Sequence, residues 1–220
     1  MMYYKELPNL ALHHKIVEKI SLLDCSELSR IRGNVGSEAR LGLATSNPWW
    51  FFWTSRHRQG KINWQLLKSY GLFFHKVGYY KSFILPKILK CAVLKSLHPW
   101  IKNMPEKPVV ILQTIYGAKS IPMHVDPLST VGLLIPISNH ENSHTNFYTS
   151  DQHYSAGSVV DPQHCTLIHS INVLAHPVLI NTTKIHDVTI DPRQHTKQNP
   201  RLTVNVKWSK MTFEQVVSYF

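Results

Sequence analysis

Paired cysteines, acidic residues and uninterrupted apolar runs are what this sequence has least of. Its three cysteines, Cys25, Cys91 and Cys165, are widely spaced and form no CxxC. They read as reduced thiols of a cytoplasmic protein, not as a disulfide framework. The longest greasy region, Leu72 to Leu97, is broken by lysines and by Pro86, so it does not make a membrane span. The opening MMYYKELPN has no apolar core, which speaks against a signal peptide. Internal repeats and low-complexity segments are absent. With 43% apolar and 17% charged residues, the composition is that of a globular chain and excludes disorder.

Acids number 13 against 24 Lys and Arg, a net charge of +11. The excess is concentrated: from Arg56 to Lys107 eleven Lys or Arg stand against one acid, Glu106. Such a stretch fits the solvated face of a basic helix. It also fits a surface for nucleic acid, for an acidic substrate or for an anionic membrane. At 220 residues the chain suits a single domain with a sizeable core.

The two halves differ in character. Apolar residues at Leu10, Ile16, Val17, Ile20 and Leu23 predict an amphipathic helix over Pro8 to Leu23. Ser29 to Gly42, rich in Gly, Arg and small residues, reads as loop. The run NPWWFFWTS from Asn47 to Ser55 places five aromatics in a row, as a plug between layers or as a stacking wall for a substrate. Asn63 caps a further predicted helix, and another covers Lys87 to Leu97 and stops at His98-Pro99. Residues 1–106 are thus a mainly helical flanking region.

From residue 107 to 220 the chain reads as β. Strands are expected at Val109–Tyr116, Ser120–Val125, Thr130–Ile137, Asn146–Thr149, Cys165–Ile168, Pro177–Asn181, Ile185–Ile190 and Arg201–Trp208. Polar loops at Ser138–Thr145 and Ser150–Gln163 separate some of them. Thr212 with Gln215 has the form of a capping box. Many short strands with polar turns indicate a jelly roll or barrel, here buttressed by the N-terminal helices.

Chemistry enters with IPMHVDP, Ile121 to Pro127. On a strand, residues two apart share a face, so His124 and Asp126 can reach one point. Adding a distant histidine makes the two-histidine, one-carboxylate set that holds non-haem Fe(II) with open positions. His186, in the late predicted strand KIHDVTI, is the chosen third ligand, with His169 and His176 beside short strands as its rivals. His140, His144, His153, His164 and His195 fall in predicted loops. In RLTVNVKW, Leu202, Val204, Val206 and Trp208 share one face, and Arg201, Thr203, Asn205 and Lys207 the other. If the polar face turns inward, Arg201 can fork onto a carboxylate while Thr203 adds a hydrogen bond.

HVD with His124 and Asp126, INTTKIHDV with His186, and RLT with Arg201 and Thr203 together resemble the Fe(II)- and 2-oxoglutarate-dependent dioxygenases. Their pattern is H-x-D…H…R-x-[ST], and the resemblance covers about Lys107 to Trp208. It implies an α+β protein with a double-stranded β-helix. It further implies Fe(II) on His124, Asp126 and His186, and 2-oxoglutarate held by Arg201 and Thr203. The expected activity is O2-dependent hydroxylation of a protein side chain or small molecule, with succinate and CO2 as co-products. Departures exist: DPRQHTKQNP lengthens the interval between His186 and Arg201, and Lys207 stands where alkylated-base repair members carry a second Arg. The alternatives are a nucleic-acid demethylase of the same superfamily using the basic 56–107 region, and a non-catalytic jelly-roll binding protein.

Overall fold

Strands that alternate apolar and polar residues need a cover for each apolar face, and two antiparallel sheets supply it. The computed structural model describes residues 2–23, 79–116, 120–126, 129–156, 160–172, 176–191, 193–196 and 198–220. The strands are β1 (Tyr4–Glu6), β2 (Tyr79–Ile84), β3 (Val109–Tyr116), β4 (Ser120–His124), β5 (Val131–Ser138), β6 (Ser143–Ser150), β7 (Cys165–Asn172), β8 (Val178–Asn181), β9 (Ile185–Ile190) and β10 (Arg201–Trp208). The helices are α1 (His14–Ser21), α2 (Lys87–Ile101) and α3 (Phe213–Val217). One sheet has six strands in the order β1-β8-β5-β10-β3-β2, the other four in the order β4-β9-β6-β7. The result is a mostly antiparallel β protein with few helices, compatible with a β-sandwich or jelly roll.

β10 lies inside the six-stranded sheet between β3 and β5 and is buried along its whole length. Val204, Val206 and Trp208 on its apolar face join a core with Ile20 of α1, Leu89, Val93 and Leu97 of α2, and Phe213 and Val216 of α3. The three α2 residues recur every four positions, one stripe of the helix. The helices therefore cover the outer face of the large sheet, and the polar face of β10 is left to look toward the small one.

Several expectations are corrected in detail. The first helix starts at His14, not Pro8, because His13 is extended (ψ 135°) and its Nδ1 caps the Lys15 N–H at 3.3 Å. α2 does not stop at His98-Pro99 but runs to Ile101 with Pro99 inside it. A proline in the last turn forfeits one terminal hydrogen bond, and the Lys102 N–H to His98 carbonyl bond, 3.1 Å, closes the end. β6 and β7 are each eight residues long, longer than expected. The polar loop before β6 shrinks to a turn whose Asn139 and Asn142 take φ of 55° and 54°, a region asparagine tolerates. The flanking segment also adds β1 and β2, one at each edge of the large sheet.

The capping box is present, with Thr212 and Gln215 each accepting the other's backbone N–H, at 3.2 and 2.8 Å. The aromatic run 47–55, the loop 29–42, Cys25 and the helix expected after Asn63 lie outside the described residues, as does 56–78 of the basic region. Among the described residues no helix is long and apolar enough to cross a membrane.

Leu97→Ala, at a site with 0% exposure, should cost about 2–5 kcal/mol of stability. Ile88→Ala on the solvent side of the same helix, 82% exposed, should cost within about 0.5 kcal/mol. Denaturant midpoints of the two variants measure the difference, and equal losses would contradict the packing of α2 on β10.

Candidate metal centre

β4 and β9 run side by side in the small sheet, pairing Ser120 with Thr189 and Ile121 with Val188. If that register continued, Met123 would face His186. Instead the pairing slips between Ile121 and His124, and His124 stands opposite His186. One extra residue in a strand turns its following side chains to the other face. Ile121 and His124, three apart, accordingly both line the space between the sheets. Asp126 lies just past the end of β4, where its N–H bonds the Thr182 carbonyl at 3.0 Å.

Ligand atoms of His124, Asp126 and His186 all lie within 4.8 Å of one another. The two imidazole rings are 4.4 Å apart, and His124 Nε2 is 3.4 Å from Asp126 Oδ1. Donors on one first-row ion at about 2.1 Å stand about 3 Å apart in adjacent positions, so binding would draw this set inward. Among the described residues no other group of three His, Cys, Asp or Glu side chains is so placed. His169 does not join it. That ring packs 5.4 Å from the ring of Tyr3 instead. His176, before β8, does not join either.

Two of the three residues are held by further contacts. The His186 Nδ1 donates to the Lys184 carbonyl at 2.8 Å, which leaves Nε2 with the lone pair a metal needs. Asp126 Oδ2 accepts from Ser129 Oγ at 2.7 Å and from Lys207 Nζ at 3.4 Å, leaving Oδ1 on the His124 side. Burial raises the Asp126 pKa, but the Lys207 ammonium and the His124 hydrogen bond outweigh it and hold the carboxyl well below its usual range. Burial, with His124 beside it, lowers His186 to about 4. At neutral pH the set is already one carboxylate and a neutral His186, so ligation there displaces no proton from His186.

The polar face of β10 completes the cavity, a space of about 530 Å³ that includes its open mouth. Arg201, Asn205 and Lys207 line it and are 3%, 3% and 5% exposed. Thr203 is buried but is not among the residues that line it. Two further lining atoms, Thr145 Oγ1 and Asn205 Oδ1, are buried without a hydrogen-bond partner. Sequence reasoning passed over Thr145, which lies in a segment read as loop, and His140, whose ring folds back from the turn to Arg201. The alternation of β10 did place Asn205 and Lys207 beside Arg201.

No protein-family model matches this chain, and no curated protein does.

Stability should depend on pH through two buried imidazoles. Burial, with Arg201 nearby, lowers His140 to about 3, and His186 stands at about 4. Both folded values lie below the unfolded one, so the unfolded chain takes up protons first as pH falls. Their stabilisation is full above about pH 6.5 and drains away toward about pH 4 for His186 and about pH 3 for His140, with about 2 kcal/mol per histidine lost by pH 5. Denaturant titrations of metal-free protein at pH 7 and pH 5 measure this, and equal midpoints would contradict the burial of both rings.

Proposed function

We propose that this protein is an Fe(II)- and 2-oxoglutarate-dependent oxygenase built on a double-stranded β-helix. The observation that carries the reading is the pairing of a His-Asp-His set with an inward arginine, Arg201, across one cavity. Strand order supports it. From β3 to β10 the chain crosses between the sheets at every step except β6 to β7, which pair within the small sheet, giving β8-β5-β10-β3 in one and β4-β9-β6-β7 in the other, and β1 and β2 are additions at the edges.

His124, Asp126 and His186 would hold the iron, and two nitrogens with one carboxylate oxygen are a donor set suited to it. Iron so held, with 2-oxoglutarate, would supply the O2 activation needed to hydroxylate a C–H bond, with succinate and CO2 as co-products. The chain's own residues bind, orient and neutralise. Arg201 would fork onto the far carboxylate of 2-oxoglutarate. Thr145 and Asn205, whose buried polar atoms have no partner, are better placed in the cavity than Thr203 to add hydrogen bonds there. Ser129 and Lys207 fix Asp126 through Oδ2.

Charge points the same way. Among the described residues the lining carries two cations, Arg201 and Lys207, against one carboxylate, Asp126. A divalent metal makes that imbalance larger, and a dianionic oxoacid reduces it. The substrate to be hydroxylated is a protein side chain or a small molecule.

Calorimetry with Mn(II) in place of iron tests the reading. Wild-type protein should bind 2-oxoglutarate only when metal is present. Arg201→Leu should lose that binding while keeping its Mn(II) affinity, and Arg201→Lys should retain part of it because the fork is lost. Unchanged 2-oxoglutarate affinity in Arg201→Leu would sink the assignment. Iron-dependent conversion of 2-oxoglutarate to succinate by wild type then separates an oxygenase from a binding protein.

A further inference from the structure

The ten-residue stretch between His186's strand and Arg201, DPRQHTKQNP, is longer than the site itself requires, and the structure gives it a use. Its side chains and carbonyls grip the turn that precedes β6. Asn139 Nδ2 donates to the Asn199 carbonyl at 2.6 Å, Asn142 Nδ2 donates to Gln194 Oε1 at 2.6 Å, and His195 Nε2 stands 3.0 Å from the Asn139 carbonyl. The turn so held carries His140, which is 8% exposed. Its ring reaches back to β10, where Arg201 Nε donates to His140 Nδ1 at 3.2 Å and His140 Nε2 is 2.6 Å from the Leu202 carbonyl.

We propose that His140 is a positioning residue for Arg201. Held by the loop between β9 and β10, it accepts the Nε–H of the guanidinium and so fixes the plane in which Arg201 meets a carboxylate in the cavity. The inference rests on the oxygenase reading of that cavity. A guanidinium can meet a carboxylate side-on, through Nε and one Nη, or end-on through both Nη groups. With Nε engaged by His140, the side-on approach is blocked, and the diacid's direction of approach is restricted.

The ring's two contacts agree on one neutral tautomer. Arg201 Nε always carries a proton, so Nδ1 must accept, and Nε2 then carries the ring proton and donates to the Leu202 carbonyl. The Ile137 N–H, 3.2 Å from Nε2, asks for the opposite tautomer. A charged donor on one side and a 2.6 Å carbonyl contact on the other outweigh one longer neutral approach. Burial and the Arg201 charge keep His140 neutral through the physiological range, so the acceptor is always available.

Two substitutions and one spectrum test this in the full chain. His140→Phe keeps the ring's bulk and removes the acceptor, while His140→Asn keeps an acceptor near the Nδ1 position. In Mn(II)-loaded protein, His140→Phe should weaken 2-oxoglutarate binding by about tenfold to a hundredfold with Mn(II) affinity unchanged, and His140→Asn should recover most of the loss. Parallel losses of metal and oxoacid affinity in both variants would mean a merely structural histidine and overturn the proposal, as would full oxoacid affinity in His140→Phe. Should the Phe variant fail to fold, nitrogen NMR of wild-type protein decides. At pH 7 His140 should show a proton on Nε2 and an accepting Nδ1, and Arg201 Nε–H should exchange slowly with solvent. An Nδ1-protonated or doubly protonated ring overturns the proposal. If wild type with Mn(II) binds no 2-oxoglutarate, the oxygenase reading fails, and the NMR result still reports separately on the Arg201–His140 contact.

Discussion

Lys207 extends from the interior of the large sheet to Asp126 Oδ2 at 3.4 Å, both groups about 5% exposed, and much of the site depends on that ion pair. A buried charge left alone costs several kcal/mol, and removing one partner of such a pair typically costs about 3–5 kcal/mol. The pair links the two sheets, because Lys207 belongs to β10 and Asp126 to the end of β4. It also lets β10 be buried on both faces while carrying a cation on one of them. Arg201, at the other end of the strand, donates its Nε–H to the neutral His140 ring at 3.2 Å. Asp126, held in turn by Ser129 and the Thr182 carbonyl, is thereby fixed by protein contacts alone.

The sheets divide the chemistry between them. The small sheet supplies the imidazoles from β4 and β9, and the large sheet supplies the cations from β10. Neither would make the cavity alone. The helices matter to this only indirectly, by giving the apolar face of β10 a place to bury. Val204, Val206 and Trp208 point into the helical layer, so Arg201, Asn205 and Lys207 must point away from it, into the space between the sheets. An ordinary amphipathic strand turns its polar side to water; here both sides are covered, and the alternation is inverted in effect.

What was legible in the sequence follows from periodicity. The bounds of β3, β9 and β10 and the inward polar face of β10 were all readable, because period-two alternation and β-branched residues mark them directly. The set His124, Asp126 and His186 was readable as a group, although its geometry was not. The spacing of two between His124 and Asp126 suggested one plain strand, whereas Asp126 lies beyond the strand's end and the β4–β9 register slips before His124. A bulge leaves no mark in composition. The edge strands β1 and β2 were missed because their pairing with β8 and β3 is set by distant partners, not by local pattern. His140 was read as a loop residue, and it does sit in a turn. Its importance arises from 61 residues of separation folding back onto Arg201, which no local window contains.

The lining of the cavity also bears on the choice between an active site and an inert jelly roll. A sandwich kept for its shape fills the gap between its sheets with aliphatic side chains at close packing. Part of the gap here is filled that way, by Leu134, Phe147, Ile171, Val178 and Ile180. The remainder is lined by Ile115, Ile121 and Val188 together with Arg201, Lys207, Asn205, Thr145 and Gln113 around the His-Asp-His set, with the Thr145 hydroxyl and the Asn205 amide oxygen lacking any partner. Burying such groups opposes folding unless something answers them. Water could answer the hydroxyl and the amide, but it does not remove the excess of cations over carboxylates, and a metal alone would increase it. An anionic ligand sharing a metal with the His-Asp-His set would reduce that excess, which is the electrostatic argument for the proposed oxygenase over an inert jelly roll.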